Sequence, residues 1–164
     1  MIATATAIER IVKMRNSMRY ILLATSIALV GVVPAEAQNE TTNQSIDQLL
    51  GDHTKYEAVI NALQKAVAAH DAAGVAELVS YPIGVSVNGK EMHIRSAKAF
   101  AENYDGIFTP SITKAVTDQK YADLFVNYKG IMFGDGQVWI NGICHDNACK
   151  NFDAKIIGIQ DVSK

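Results

Sequence analysis

Two short glycine turns constrain this chain more than any other feature. Asn88-Gly89 and Asp135-Gly136 each lie between strand-forming runs, which alternate apolar and polar residues around the first and are apolar throughout around the second. Such a pair is the strongest local signal for a β-hairpin with a two-residue turn, because both central positions need positive φ. The turn then fixes the register, since a slip of one residue would send every apolar side chain to the wrong face. Around the first turn Val87 faces Lys90, Val85 faces Met92 and Ile83 faces Ile94, with Ser86 and His93 on the opposite face, so His93 is expected to be solvent-exposed. Around the second, Phe133 pairs with Val138, Met132 with Trp139 and Ile131 with Ile140.

Helical signals precede and separate these hairpins. Thr54-Lys55-Tyr56-Glu57 has the form of a capping box, and Tyr56, Val59, Ile60, Leu63, Val67 and His70 follow at helical spacing. Asp71 suits the N-cap of a second, short helix with Val75, Leu78 and Val79, which must stop near Ser80 because Tyr81 precedes Pro82. Ser96 caps a third helix with Ala97, Phe100, Ala101 and Tyr104, and Thr109-Pro110 opens a fourth with Ile112 and Val116. From Leu124 the helical period disappears. Segments 124–128, 130–133, 137–143 and 154–162 are rich in β-branched and aromatic residues and predict strands. The class is therefore α+β, with N-terminal helices packed against an antiparallel sheet. One domain spans 53–164, behind a polar and partly flexible lead-in at 38–52.

Residues 1–37 predict an export signal. Arg15 and Arg19 precede the apolar run Tyr20–Val33, and Ala35-Glu36-Ala37 gives the small-x-small pattern at which signal peptidase cuts, after Ala37. The run falls short of the roughly 20 residues a membrane span requires. Glu9 suits an n-region poorly, and a start at Met14 or Met18 would omit it. The expected address is periplasmic or secreted, with no membrane association after cleavage. Removing this segment takes away Arg10, Lys13, Arg15 and Arg19 but only Glu9 and Glu36 among the acids, which leaves a mildly acidic protein. Its remaining Lys and Arg are scattered singly, so nucleic acid is excluded as a partner.

The chain has two cysteines, Cys144 and Cys149. In an exported protein they predict a local disulfide that pins the loop between two strands and contributes about 2 kcal/mol by loop-closure entropy. A zinc site using both thiolates and His145 would still lack a fourth ligand, since His93 bears no spacing relation to them. No metal and no cofactor is expected.

The second hairpin carries a further implication. Met132 and Trp139 stand together on the face opposite Ile131, Phe133, Val138 and Ile140, and a large aromatic beside a thioether is rarely left wholly in water. Three covers suit it: a ligand, a second subunit, or the protein's own lead-in segment. Met132 and Trp139 are thus interface candidates for a homodimer.

Helix, short helix, Tyr81-Pro82, hairpin, further helices with Ile107-Phe108-Thr109, and then the run from Asp123 to Trp139 resemble the nuclear transport factor 2-like (NTF2-like) superfamily, the cystatin-like cone. The run is similar to one in small secreted bacterial members of unassigned role. The resemblance implies a curved sheet wrapped around helices, a pocket within, and frequent dimerisation through the outer sheet face. Members include isomerases and dehydratases with a buried Asp or His beside a Tyr, and also binding modules without chemistry. None of the enzymes' catalytic motifs matches this chain residue by residue.

An enzyme of this kind needs an acid or base inside the cone, and the candidates are Asp105 and His70. Against them stand a solvated helix-end carboxylate and a histidine meeting the last carbonyls of its helix. Tyr56, Tyr81, Tyr104, Asn127 and Asn141 are candidates to line a pocket. With no recognisable acid–base pair, a non-catalytic module binding a small apolar molecule or a protein partner is favoured over an isomerase or lyase acting by proton transfer.

Overall fold

The computed structural model describes residues 35–162. The apolar run Tyr20–Val33, expected to belong to an export signal, lies outside the described residues. The chain is α+β, with N-terminal helices packed against a six-stranded, mostly antiparallel sheet. Helices α1 (Ala35–Leu49), α2 (His53–Ala68) and α3 (Ala72–Glu77) lead into strands β1 (Ile83–Val87) and β2 (Lys90–Ile94). Helices α4 (Ala97–Glu102), α5 (Tyr104–Ile107) and α6 (Pro110–Thr117) follow, and a short 3-10 turn at Tyr121–Asp123 opens the C-terminal strands. These are β3 (Phe125–Asn127), β4 (Gly130–Phe133), β5 (Val138–Cys144) and β6 (Phe152–Gln160), arranged in the sheet as β2-β1-β6-β5-β4-β3.

Both hairpins have the registers that the two turns predict. Ile83 pairs with Ile94, Val85 with Met92 and Val87 with Lys90, around a turn in which Asn88 and Gly89 have φ of 53° and 71°. Phe133 pairs with Val138, Met132 with Trp139 and Ile131 with Ile140. The second turn itself differs from expectation. Positive φ falls on Gly134 (59°) and Gly136 (117°) rather than on Asp135, and the Gln137 side chain folds back to accept the Asp135 N–H at 2.7 Å, so four residues make the connection. The sheet also departs from a purely antiparallel arrangement, because β1 joins β6 in parallel with Val85 beside Ile159.

Three helical details correct the sequence expectations. Segment 38–52, expected as a polar and partly flexible lead-in, is mostly helix α1, and the cleavage expected after Ala37 falls within its first turn. Its sequence has little apolar periodicity, but Ile46 is fully buried and the Thr42 hydroxyl donates to the Ala122 carbonyl at 3.2 Å. Tyr121 adds a 2.7 Å hydrogen bond to Asn43, so tertiary contact and not propensity specifies this helix. At the start of α2 the cap is Asp52 rather than Thr54, since its carboxylate accepts both the Thr54 N–H at 3.0 Å and the Thr54 hydroxyl at 2.6 Å. A charged acceptor outcompetes a hydroxyl there. Helix α3 ends at Glu77, a turn earlier than expected, because Val79 bridges to Ile156 and Ser80 donates to the Ile156 carbonyl at 2.9 Å, ahead of a cis Tyr81–Pro82 bond. The caps at Asp71, Ser96 and Thr109 form as the sequence implies.

The inner sheet face is closed by the helices. Ile83, Val85, Ile131, Phe133, Val138, Ile140, Ile156 and Ile159 meet Ile60, Leu63, Phe100, Tyr104, Ile107 and Ile112 in one buried cluster. Each such side chain contributes about 1.5–3 kcal/mol of burial free energy. Cys144 and Cys149 form the expected disulfide, which ties the end of β5 to the loop before β6. Within that loop the Asp146 carboxylate accepts the N–H groups of Ala148, Lys150 and Asn151 at 2.9, 3.2 and 2.7 Å.

Several aspartates are held below the ordinary carboxylate range by hydrogen bonds: Asp47 by the His53 backbone and ring, Asp146 by the backbone of its own loop, and Asp153 by the His145 ring. Lowered folded-state values mean that this stabilisation is complete above the unfolded aspartate value of about 4 and is lost as pH falls through the folded values. A plot of melting temperature against pH should therefore be flat near neutrality and fall below pH of about 4. Because these groups are exposed, the fall should be smaller in high salt. A melting temperature that rises on acidification would contradict the assignment.

Candidate functional site

Of the candidates expected inside the cone, His70 and Asp105 lie at the surface, the tyrosines pack in or against the core, and the asparagines clamp a turn. His70 follows α2 in a left-handed conformation (φ 54°), where Asp71 N–H donates to the Ala66 carbonyl at 2.8 Å and His70 N–H to Val67 at 3.0 Å, a helix-ending pattern. Its ring packs edge-on against Tyr104 and its Nε2 meets Asp105 Oδ1 at 3.0 Å. The fold thus brings His70 and Asp105 together, but on the surface, with side chains 75% and 85% exposed. Tyr56 and Tyr81 donate their hydroxyls to the carbonyls of Leu50 (3.2 Å) and Ala76 (2.9 Å). Burial pushes both phenols up to about 12 and raises Tyr104 as well, whose ring stacks on Phe108. Asn127 and Asn141 clamp one turn. Asn127 accepts the Lys129 N–H at 2.7 Å and Asn141 donates to the Lys129 carbonyl at 3.1 Å, which accounts for asparagine within these strands.

The opposite face of the sheet is different in character. Successive registers align one residue from each strand into a row: Phe125 beside Met132, Met132 beside Trp139, Trp139 beside Gly158, and Gly84 beside His93. The parallel pairing of Val85 with Ile159 sets Gly158 next to Gly84 and so completes the row. Half of the row is bulky and partly uncovered, with Phe125 52% exposed. Beyond Trp139 the row drops to two adjacent glycines, and a concavity of about 250 Å³ opens above them. Trp139 walls it on one side. Ser86, Glu91, His93 and Gln160 rim it.

The two glycines lack an obvious internal reason. A Cβ placed on Gly84 would meet nothing within 4 Å, and one on Gly158 would meet only the Trp139 Cβ at 4.0 Å. Neither residue has positive φ. Glycine in a strand interior weakens the strand and marks a bulge or the close approach of something else. A bulge does sit beside Gly158, where Ile157 is the extra residue between the pairs Trp139–Gly158 and Ile140–Ile156. Gly84 has no such neighbour.

The rim is also free of internal partners. Among the described residues, the side chains of Ser86, Glu91, His93, Trp139 and Gln160 make no hydrogen bond or ion pair. The other three histidines are each held by an aspartate, His53 by Asp47 at 2.8 Å, His70 by Asp105 at 3.0 Å and His145 by Asp153 at 2.9 Å. His93 is exposed, as the first hairpin predicts, and it stands over this groove. The sequence singled out Met132 and Trp139 but missed Gly84, Gly158, Glu91 and Gln160. The available signal was a glycine inside each of two strands, and its meaning depended on knowing that β1 and β6 are neighbours.

Among the described residues no helix is long and apolar enough to cross a membrane. Comparison of the chain with family models, curated proteins and solved structures finds no match.

Proposed function

We propose that this protein is an exported, non-catalytic binding module of the NTF2-like kind that works through the outer face of its sheet. The observation that carries this is the pair of adjacent glycines beside Trp139, which keep a groove open at a cost in strand stability. Export is supported by the pattern at Arg15–Ala37 and by the disulfide. An isomerase or lyase would need an acid and a base inside the cone, whereas His70 and Asp105 pair in water and the inner face is filled by apolar side chains. A second copy of the chain is a specific alternative occupant, favoured by the exposed Phe125 at the end of the apolar row.

Amide chemical-shift mapping of the purified protein against a library of small fragments tests the proposal. Perturbations should concentrate on Gly84, His93, Trp139 and Gly158. Shifts confined to the inner face or to His70 and Asp105 would overturn it. Shifts of the Phe125–Met132–Trp139 row with protein concentration alone would identify the second copy as the occupant.

A further inference from the structure

Resting on the reading of the groove as a binding site, we infer that its ligand is a neutral saccharide, bound through one ring that lies on the glycine floor against Trp139. The rim selects this chemistry by what it offers and by what it lacks. Ser86 and His93 can each donate and accept, Glu91 accepts, Gln160 does both through its amide, and the Trp139 indole donates. So mixed a set suits a ligand whose groups are hydroxyls, each able to do both, better than a cation, which needs acceptors alone. An anion is disfavoured, because the groove is lined by one carboxylate and by neither Lys nor Arg. The C–H face of a sugar ring is apolar enough to pack on an indole while its edge hydroxyls reach the rim. A volume of about 250 Å³ holds a single ring, and the exposed rim residues leave space for a chain to continue beyond it.

The test uses Trp139, the chain's one tryptophan, as its reporter. The purified protein is titrated with the methyl glycosides of glucose and N-acetylglucosamine and with their β-linked oligomers, and in parallel with choline and with inorganic phosphate. A saturable change in Trp139 emission is expected for the saccharides and none for choline or phosphate. Gln160→Ala and Glu91→Gln should each weaken saccharide binding by roughly 3–10-fold, the loss of one or two hydrogen bonds. A response to choline or phosphate without one to saccharides, silence towards every saccharide, or unchanged affinity in both variants would overturn the inference. If saccharides are silent while mapped fragments still gather over Gly84 and Gly158, the saccharide falls and the groove stands. If fragments gather elsewhere, the groove falls too.

Discussion

Phe133→Ala is expected to lower the free energy of unfolding by about 3–5 kcal/mol, the usual cost of emptying a well-packed aromatic site. Phe133 is fully buried on the inner face of β4, among side chains that the helices hold in place. Met132, its neighbour in sequence, points to the other face and is only partly covered, so Met132→Ala should cost about 1 kcal/mol. Denaturant melts of the two variants measure the contrast. Because side chains on a strand alternate with period two, a register shifted by one residue would reverse the order of the two losses. Equal or inverted losses would therefore contradict the second hairpin, and with it the placement of Trp139 on the outer face.

What the sequence reveals follows how local each determinant is. Asn88-Gly89 sets both its turn and its register, because two backbone conformations and the adjacent alternation decide them. Asp135-Gly136 sets only the register. The turn there is decided by Gly134 and by the folded-back Gln137 amide, an interaction that no pair rule contains. The Cys144–Cys149 disulfide is legible for the same local reason. Helix α1 is not, because its residues are polar and its one deeply buried apolar side chain, Ile46, gives no periodicity to detect. Its partners Ala122 and Tyr121 lie far along the chain.

The candidate site was legible by half. Pairing across the second hairpin places Met132 and Trp139 on the outer face, and the first hairpin places His93 there. Those two halves belong to one surface only because β6 inserts between β1 and β5, with β1 parallel to it. Strand order is a matter of global packing, and the bulge at Ile157 that turns Gly158 outward is equally nonlocal. The two residues weighed from the sequence as acid–base candidates, His70 and Asp105, do meet, but across the surface junction of α2 and α5 and not in a cavity.

The second large effect expected is loss of binding without loss of fold. Gly84→Val places a branched side chain on the floor of the groove, where a Cβ meets nothing within 4 Å. Valine is a better strand residue than glycine, so the substitution should leave stability unchanged or raise it by up to about 1 kcal/mol. The same methyl groups occupy the space above Gly158 and in front of Trp139 that a ligand would fill. Natural binding sites often carry such a trade of stability for function. The most direct measurement is therefore paired: the melting temperature of Gly84→Val, and its response to whichever fragments or saccharides shift Trp139 in the parent protein. A melting temperature at or above the parent's together with lost binding is the predicted result, and full binding retained in the stable variant would contradict the groove as the working surface of this protein.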